Sequence, residues 1–159
     1  EDTSQSNAYD ALPTSSVINY GNDNACNGSS ETYIAYLWRS VQGFSKVGET
    51  YTGNGNDNGP YVHLGFSPQL VIIKRTDSAD DWKVHTKKVE VHNPLNQSVK
   101  INSNVAEATE TDHEIDFLSN GFKLKENNSA FNASGGTYVY LAFAESPFVN
   151  SKGVPNNAQ

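Results

Sequence analysis

Apolar and polar residues alternate one by one in several short stretches of this chain, and elsewhere the apolar residues gather into short unbroken runs. Tyr61-Val62-His63-Leu64-Gly65-Phe66 and Trp82-Lys83-Val84-His85 alternate as half-buried strands do. Leu70-Val71-Ile72-Ile73-Lys74 is a continuous β-branched run too short for an ordinary helix, which predicts a strand covered on both faces. Thr137 to Phe148 is the longest uncharged apolar-aromatic run apart from Glu145, and it predicts the buried central strand. Val17 to Tyr20 predicts a short strand, Thr32 to Trp38 a first aromatic strand, and Ile115-Asp116-Phe117-Leu118 pairs with Phe122-Lys123-Leu124-Lys125 across Ser119-Asn120-Gly121. Gly121 is expected to supply a positive φ at that turn.

Lys88 to Ile101 alternates weakly around Asn93-Pro94, while Asn102 to Glu114 and Glu126 to Gly136 read as polar surface loops. The strongest loop signal is Gly53-Asn54-Gly55-Asn56-Asp57-Asn58-Gly59-Pro60. No stretch sustains a 3.6-residue apolar period behind a cap, so very little helix is expected. Seven to nine short strands joined by Gly/Pro/Asn loops predict an all-β chain, an antiparallel β-sandwich of concanavalin or jelly-roll type.

Two of the aromatic runs are kin. Thr32-Tyr33-Ile34 superposes on Thr137-Tyr138-Val139 at an offset of 105 (137 − 32), and the same offset carries Asn27 onto Asn132. Ser45-Lys46-Val47-Gly48 has a near counterpart in Ser151-Lys152-Gly153. The pattern predicts a tandem repeat in which residues 1–48 are the C-terminal part of a preceding unit with an extended N-terminal arm. Residues 49–153 would be a complete β unit packed with it as one domain, and 154–159 an exposed tail. A partial unit cannot bury its own apolar face, so Tyr33, Tyr36 and Trp38 are expected to pack on the complete unit or on another subunit.

Composition narrows the function. A net charge of −7 repels phosphate backbones and argues against nucleic acid as a partner. No run approaches the roughly 18 apolar residues of a membrane-spanning helix, so membrane insertion is not expected. The chain contains no Met, which predicts a processed product or an excised domain. Cys26 is the single cysteine and excludes an internal disulfide or a multi-cysteine zinc site; no cofactor is expected.

Candidate chemistry is sparse, and no catalytic residues are indicated. Asn54, Asn56, Asp57 and Asn58 show the oxygen alternation of a calcium loop, but Gly65 stands where the bidentate carboxylate belongs and one acidic residue is too little charge for tight binding, so a plain Gly-Asn loop is expected and no metal. Asp77, Asp80 and Asp81 form an acidic turn, a carboxylate pair for sugar chemistry or simple punctuation between strands. Trp82 beside them offers a ring face to a sugar or a core anchor, and Tyr51, Tyr61 and His63 flank the Gly-rich loop with the same two readings.

The combination Tyr33-Ile34-Ala35-Tyr36-Leu37-Trp38-Arg39-Ser40, Tyr51-Thr52-Gly53-Asn54-Gly55, Val71-Ile72-Ile73-Lys74-Arg75-Thr76, Asp81-Trp82, Leu118-Ser119-Asn120-Gly121-Phe122 and Ser134-Gly135-Gly136-Thr137-Tyr138 resembles a C-terminal domain of large virion proteins of marine and other tailed bacteriophages. The resemblance implies a non-enzymatic virion structural protein: a surface-exposed module of a tail fibre or capsid fibre, forming homo-oligomers, contacting other virion proteins and adhering to host-surface carbohydrate. A capsid decoration (cement) protein and a glycan-degrading tailspike domain are the alternatives. It carries over no site residue.

Overall fold

The computed structural model describes residues 9–11, 14, 16–109 and 112–147. Most of the arm read at the N-terminus, Ser151-Lys152-Gly153 and the tail 154–159 lie outside them. The chain forms two compact units, Glu1–Leu37 and Trp38–Gln159.

In the first unit β1 (Tyr9–Ala11) pairs antiparallel with β2 (Asn19–Tyr20), Tyr9 opposite Tyr20. A single helical turn follows, α1 (Asn24–Asn27), started by Asp23, whose Oδ1 accepts the Ala25 N–H at 2.7 Å. The expected strand Thr32–Trp38 does not form. Residues 31–40 lie in no strand, and Ile34, Tyr36 and Leu37 are 78, 73 and 70% exposed. The aromatic side chains expected to pack are also open, with Tyr33 at 42% and Trp38 at 55%. Strand propensity expresses itself only where a neighbour completes the ladder, and among the described residues no strand pairs with residues 31–40.

The second unit is the all-β antiparallel sandwich that the alternation predicts; strand makes up 36% of the protein and helix 6%. Its strands are β3 (Ser45–Thr52), β4 (Tyr61–His63), β5 (Pro68–Arg75), β6 (Lys83–Thr86), β7 (Gln97–Lys100), β8 (Ala108–Thr109), β9 (Ile115–Leu118), β10 (Gly121–Leu124) and β11 (Thr137–Ala144). One short helix, α2 (Ser129–Asn132), precedes the last strand. The larger sheet runs β3-β11-β5-β6-β7-β8, and the smaller β4-β10-β9.

β11 is central, as its apolar run predicts: β3 and β5 flank it, and Tyr138, Tyr140 and Ala142 point inward with almost no exposure. From the smaller sheet Val62, Ile115, Phe117, Phe122 and Leu124 face them. Phe122 joins the layers, edge-on to Tyr51 at 6.1 Å and to Tyr140 at 5.5 Å. Burying such a ring contributes about 2–3 kcal/mol. The Asn93 side chain runs along β9 like a short strand, donating to the Phe117 carbonyl at 2.8 Å and accepting its N–H at 2.9 Å.

Three local expectations are corrected. β5 is sealed on one face only: Val71 and Ile73 are fully buried, whereas Leu70 and Ile72 are half-buried. The stretch 102–114, read as loop, contains β8, which pairs with β7. Gly121 does not have a positive φ. A Cβ there would collide with the Val62 carbonyl oxygen and lie 2.8 Å from the Tyr61 hydroxyl, so the glycine is needed for close approach of β4 to β10.

Candidate functional site

The outer face of the smaller sheet carries an aromatic and polar cluster. β4 buries Val62 and therefore turns Tyr61 and His63 outward. Across β10, whose Gly121 pairs with His63, the turn residue Asn120 meets them. The Tyr61 hydroxyl donates to Asn120 Oδ1 at 2.6 Å and lies 3.3 Å from His63 Nδ1. The Asn120 carbonyl accepts the N–H groups of Leu64 and Gly65 at 2.9 and 3.1 Å, fixing the chain beyond β4. Partial burial pushes the Tyr61 phenol above its ordinary pKa. The residue is still 44% exposed.

Gly65, at φ +84°, bends the chain so that a Cβ on it would stand 3.9 Å from His63 Nε2. Beside this bend opens a cleft of about 330 Å³ lined by Ser40, Gln42, Lys46, Glu49, Leu64 and Phe66 among others. Lys46 ties the cleft to the aromatic cluster, its Nζ donating to the His63 carbonyl at 2.9 Å. The floor is set by a truncated hairpin. Val41 bridges Ser45, but the Ser45 hydroxyl donates to the Arg39 carbonyl at 2.8 Å and the Ser40 hydroxyl accepts the Val47 N–H at 3.0 Å. These hydroxyls replace backbone rungs and end the ladder, leaving room above them.

The cleft offers hydroxyls, an amide, one ammonium and one carboxylate beside two amphipathic rings. That inventory suits a neutral polyhydroxylated ligand, which takes dispersed hydrogen bonds and a stacking surface. Glu49 is the one carboxylate in the lining.

The other sequence candidates lie apart from this face. Tyr51 sits against the core, stacked on Tyr138 with centroids 5.0 Å apart, its hydroxyl donating to the Phe131 carbonyl at 2.9 Å. Burial, followed by the neighbouring Tyr138, pushes its phenol well above the ordinary value. Asp77 accepts from Arg75 Nε at 2.8 Å, and that bond holds its carboxyl below the usual range. Asp81 accepts from Asn102 Nδ2 at 3.0 Å and pairs with Lys100 at 3.4 Å; the Asn102 bond leads in lowering its pKa. Trp82 is half-buried beside it, its N–H donating to Asn102 Oδ1 at 2.9 Å. Asp77 and Asp81 are thus each held as carboxylates by a cation or an amide.

Within the Gly-Asn loop Asn54 organises the turn. Asn54 Oδ1 accepts the Asn56 N–H and its carbonyl accepts Asn56 Nδ2, both at 3.0 Å, while Asn54 Nδ2 donates to the Asn58 carbonyl at 3.0 Å. Fully buried Asn132 clamps it, accepting the Asn54 N–H and donating to the Asn56 carbonyl, each at 2.8 Å. Among the described residues no cluster of His, Cys, Asp or Glu suits a metal ion.

Sequence reading named Tyr61 and His63 as ligand candidates beside the Gly-rich loop and did not name Lys46, Glu49 or Asn120. Asn120 read as a turn residue, and nothing local marks its amide as a partner for a tyrosine 59 residues away.

Fold and face together define a β-sandwich with an aromatic cluster on the outer face of its smaller sheet and, beside it, an open polar cleft between β3 and the bend after β4. The chain belongs to the DUF7483 family, a domain of unknown function, whose family model matches residues 1–147. Searches of curated proteins and of solved structures found no match.

Proposed function

We propose that this chain is a non-enzymatic virion structural module, displayed on a bacteriophage tail fibre or capsid fibre, that adheres to host-surface glycans. The observation that carries the adhesive part is the Tyr61–His63–Asn120 network at the rim of the Lys46 cleft, where exposed ring faces and neutral donors stand together. The viral part rests on the sequence resemblance alone. Homo-oligomerisation and contacts to other virion proteins belong to the same reading, since several weak sites on one fibre give avidity without tighter single contacts.

A glycan-degrading tailspike is the competing reading. It needs a carboxylate pair roughly 5–9.5 Å apart with one member held protonated. Asp77 and Asp81 are both shifted toward the ionised form, so the pair read from the acidic turn has no protonated member. A capsid decoration protein would act through its terminal arm and tail, most of which fall outside the described residues.

A glycan array probed with the intact chain tests adhesion, and antibodies against the chain applied to intact particles test its place on a virion. Retention of defined glycans by the wild type and loss by Tyr61→Ala, with unchanged circular dichroism, supports the reading. Glycan cleavage, or retention indifferent to Tyr61, contradicts it.

A further inference from the structure

The two short helical turns are copies of one device, set 105 residues apart (129 − 24). Asp23 and Asn128 cap them in the same backbone conformation and accept the N–H of Ala25 and Ala130, both at 2.7 Å. Asn27 Nδ2 donates to the Gly21 carbonyl and Asn132 Nδ2 to the Glu126 carbonyl, both at 2.8 Å. The Gly28 N–H donates to the Tyr33 hydroxyl and the Ala133 N–H to the Tyr138 hydroxyl, again both at 2.8 Å. Each hydroxyl then donates to the first helical residue: Tyr33 to the Asn24 carbonyl at 2.5 Å, Tyr138 to the Ser129 carbonyl at 2.8 Å. Even the left-handed position recurs, Ser30 at φ +66° matching Gly135 at φ +75°.

In the second unit this device receives something. The loop after β3 lies on it. Tyr51 stacks on Tyr138, the Gly53 N–H donates to the Gly136 carbonyl at 2.9 Å, and the Gly55 N–H donates to the Asn132 carbonyl at 3.0 Å. The Asn54 N–H reaches Asn132 Oδ1 at 2.8 Å. Contact is so close that a Cβ on Gly53 would collide with the Ala133 carbonyl oxygen, and one on Gly55 would lie 2.8 Å from Ser134 Cβ.

In the first unit the receiving surface is open. Asn24, Gly28, Ser29, Glu31 and Tyr33 line a cleft of about 480 Å³. They are the counterparts of Ser129, Ala133, Ser134, Gly136 and Tyr138, around which the loop packs. Asn132 and Tyr138 are fully buried, whereas Asn27 is exposed and Tyr33 is 42% exposed. Among the described residues no donor reaches Asn27 Oδ1, and no aromatic ring stacks on Tyr33.

We infer that the Asn27–Tyr33 device is a docking socket for a Tyr-x-Gly-Asn-Gly-Asn loop supplied by another repeat unit of this kind. The chain's own loop does not serve, because Asn132 and Tyr138 already hold it. Recognition would come from the backbone N–H of the residue between the glycines meeting Asn27 Oδ1, from a tyrosine ring on Tyr33, and from two glycines that let the backbones touch. The inference concerns assembly between units and goes beyond the adhesive reading, on which it does not depend.

The test uses the intact chain and a synthetic peptide, Thr-Tyr-Thr-Gly-Asn-Gly-Asn-Asp-Asn, closed by a lactam so that little ordering remains to oppose binding. The expected result is saturable binding of one peptide per chain, with amide shift changes at Asn27, Gly28 and Tyr33. Replacing the first peptide glycine by alanine weakens binding at least about tenfold, the scale set by losing a buried hydrogen bond and forcing a clash, and this arm leaves the protein untouched. Asn27→Ala, folded by circular dichroism, weakens it comparably. Absence of saturation, equal binding of the alanine peptide, or shifts at Asn132 and Tyr138 in place of Asn27 and Tyr33 overturns the inference.

Discussion

Tyr51 and Tyr138 stack nearly parallel, 13° between planes, while the Tyr51 hydroxyl donates to the Phe131 carbonyl and the Tyr138 hydroxyl to the Ser129 carbonyl. The pair thus ties β3, β11 and the α2 turn into one block. Tyr51→Phe removes one hydrogen bond and leaves a poorly solvated carbonyl, a loss of about 1–2 kcal/mol. Tyr51→Ala also empties the stack and costs about 3–5 kcal/mol. Urea unfolding of the two variants measures both.

Alkali attacks the same block. Burial, with Glu49 adding, pushes Tyr140 up to about 12 from the ordinary 10.0, and Tyr51 is raised as well. A phenol raised in the fold stabilises fully below the unfolded value, and that stability is lost as pH climbs through the folded one. Melting temperature therefore falls between about pH 10 and 12, while phenolate absorbance rises.

Acid acts through other groups. Glu145 is lowered by Lys87, then by Ser67, while Asp77 and Asp81 are lowered by their own donors. A depressed carboxyl contributes stability above its unfolded pKa and loses it as pH falls through the folded one, so stability declines below the ordinary values of 4.5 and 3.8. Glu126 has the opposite sign. Burial first, and then Asp57, Glu114 and Asp112, raise it, so its charge opposes folding at neutral pH. Glu126→Gln raises the melting temperature at neutral pH, and the gain vanishes in acid, as paired scans check.

Asn132 and Asn27 hold equivalent places with unequal duties. Asn132→Ala strands the Asn54 N–H and two carbonyls in a buried site, costing about 2–4 kcal/mol. Asn27→Ala, at an exposed position, changes stability by no more than about 1 kcal/mol. Denaturant midpoints of the two variants decide it.

Gly121→Ala forces a Cβ against the Val62 carbonyl despite an ordinary φ, and destabilises by about 1–3 kcal/mol. A positive φ would have predicted strain of another origin; here the rescue is Tyr61→Ser, which removes the second obstacle but not the carbonyl, and recovers only part of the loss in thermal melts.

How much of this was legible follows from where the information lies. β11 was readable because a long apolar run needs no partner to declare itself buried. Thr32–Trp38 carries almost the same run yet stays out of any strand, because pairing depends on a neighbour that the local sequence does not describe. Tyr61 and His63 were readable through alternation, which tells the outward face from the inward one. Tyr51 entered the ligand candidates because it flanks the Gly-rich loop, yet it stands on a strand whose inner face meets Phe122 and Tyr140, a contact that proximity to a loop does not reveal. Asn120, Asn132 and Gly121 act through contacts with residues distant in sequence, and their types alone read as turn punctuation.

The adhesive account is tested most directly by amide and side-chain shift mapping of the intact chain titrated with a glycan retained on the array. It predicts perturbations centred on Tyr61, His63, Asn120 and Lys46. Perturbations centred on Asp81 and Trp82, with those four residues unmoved, would contradict it.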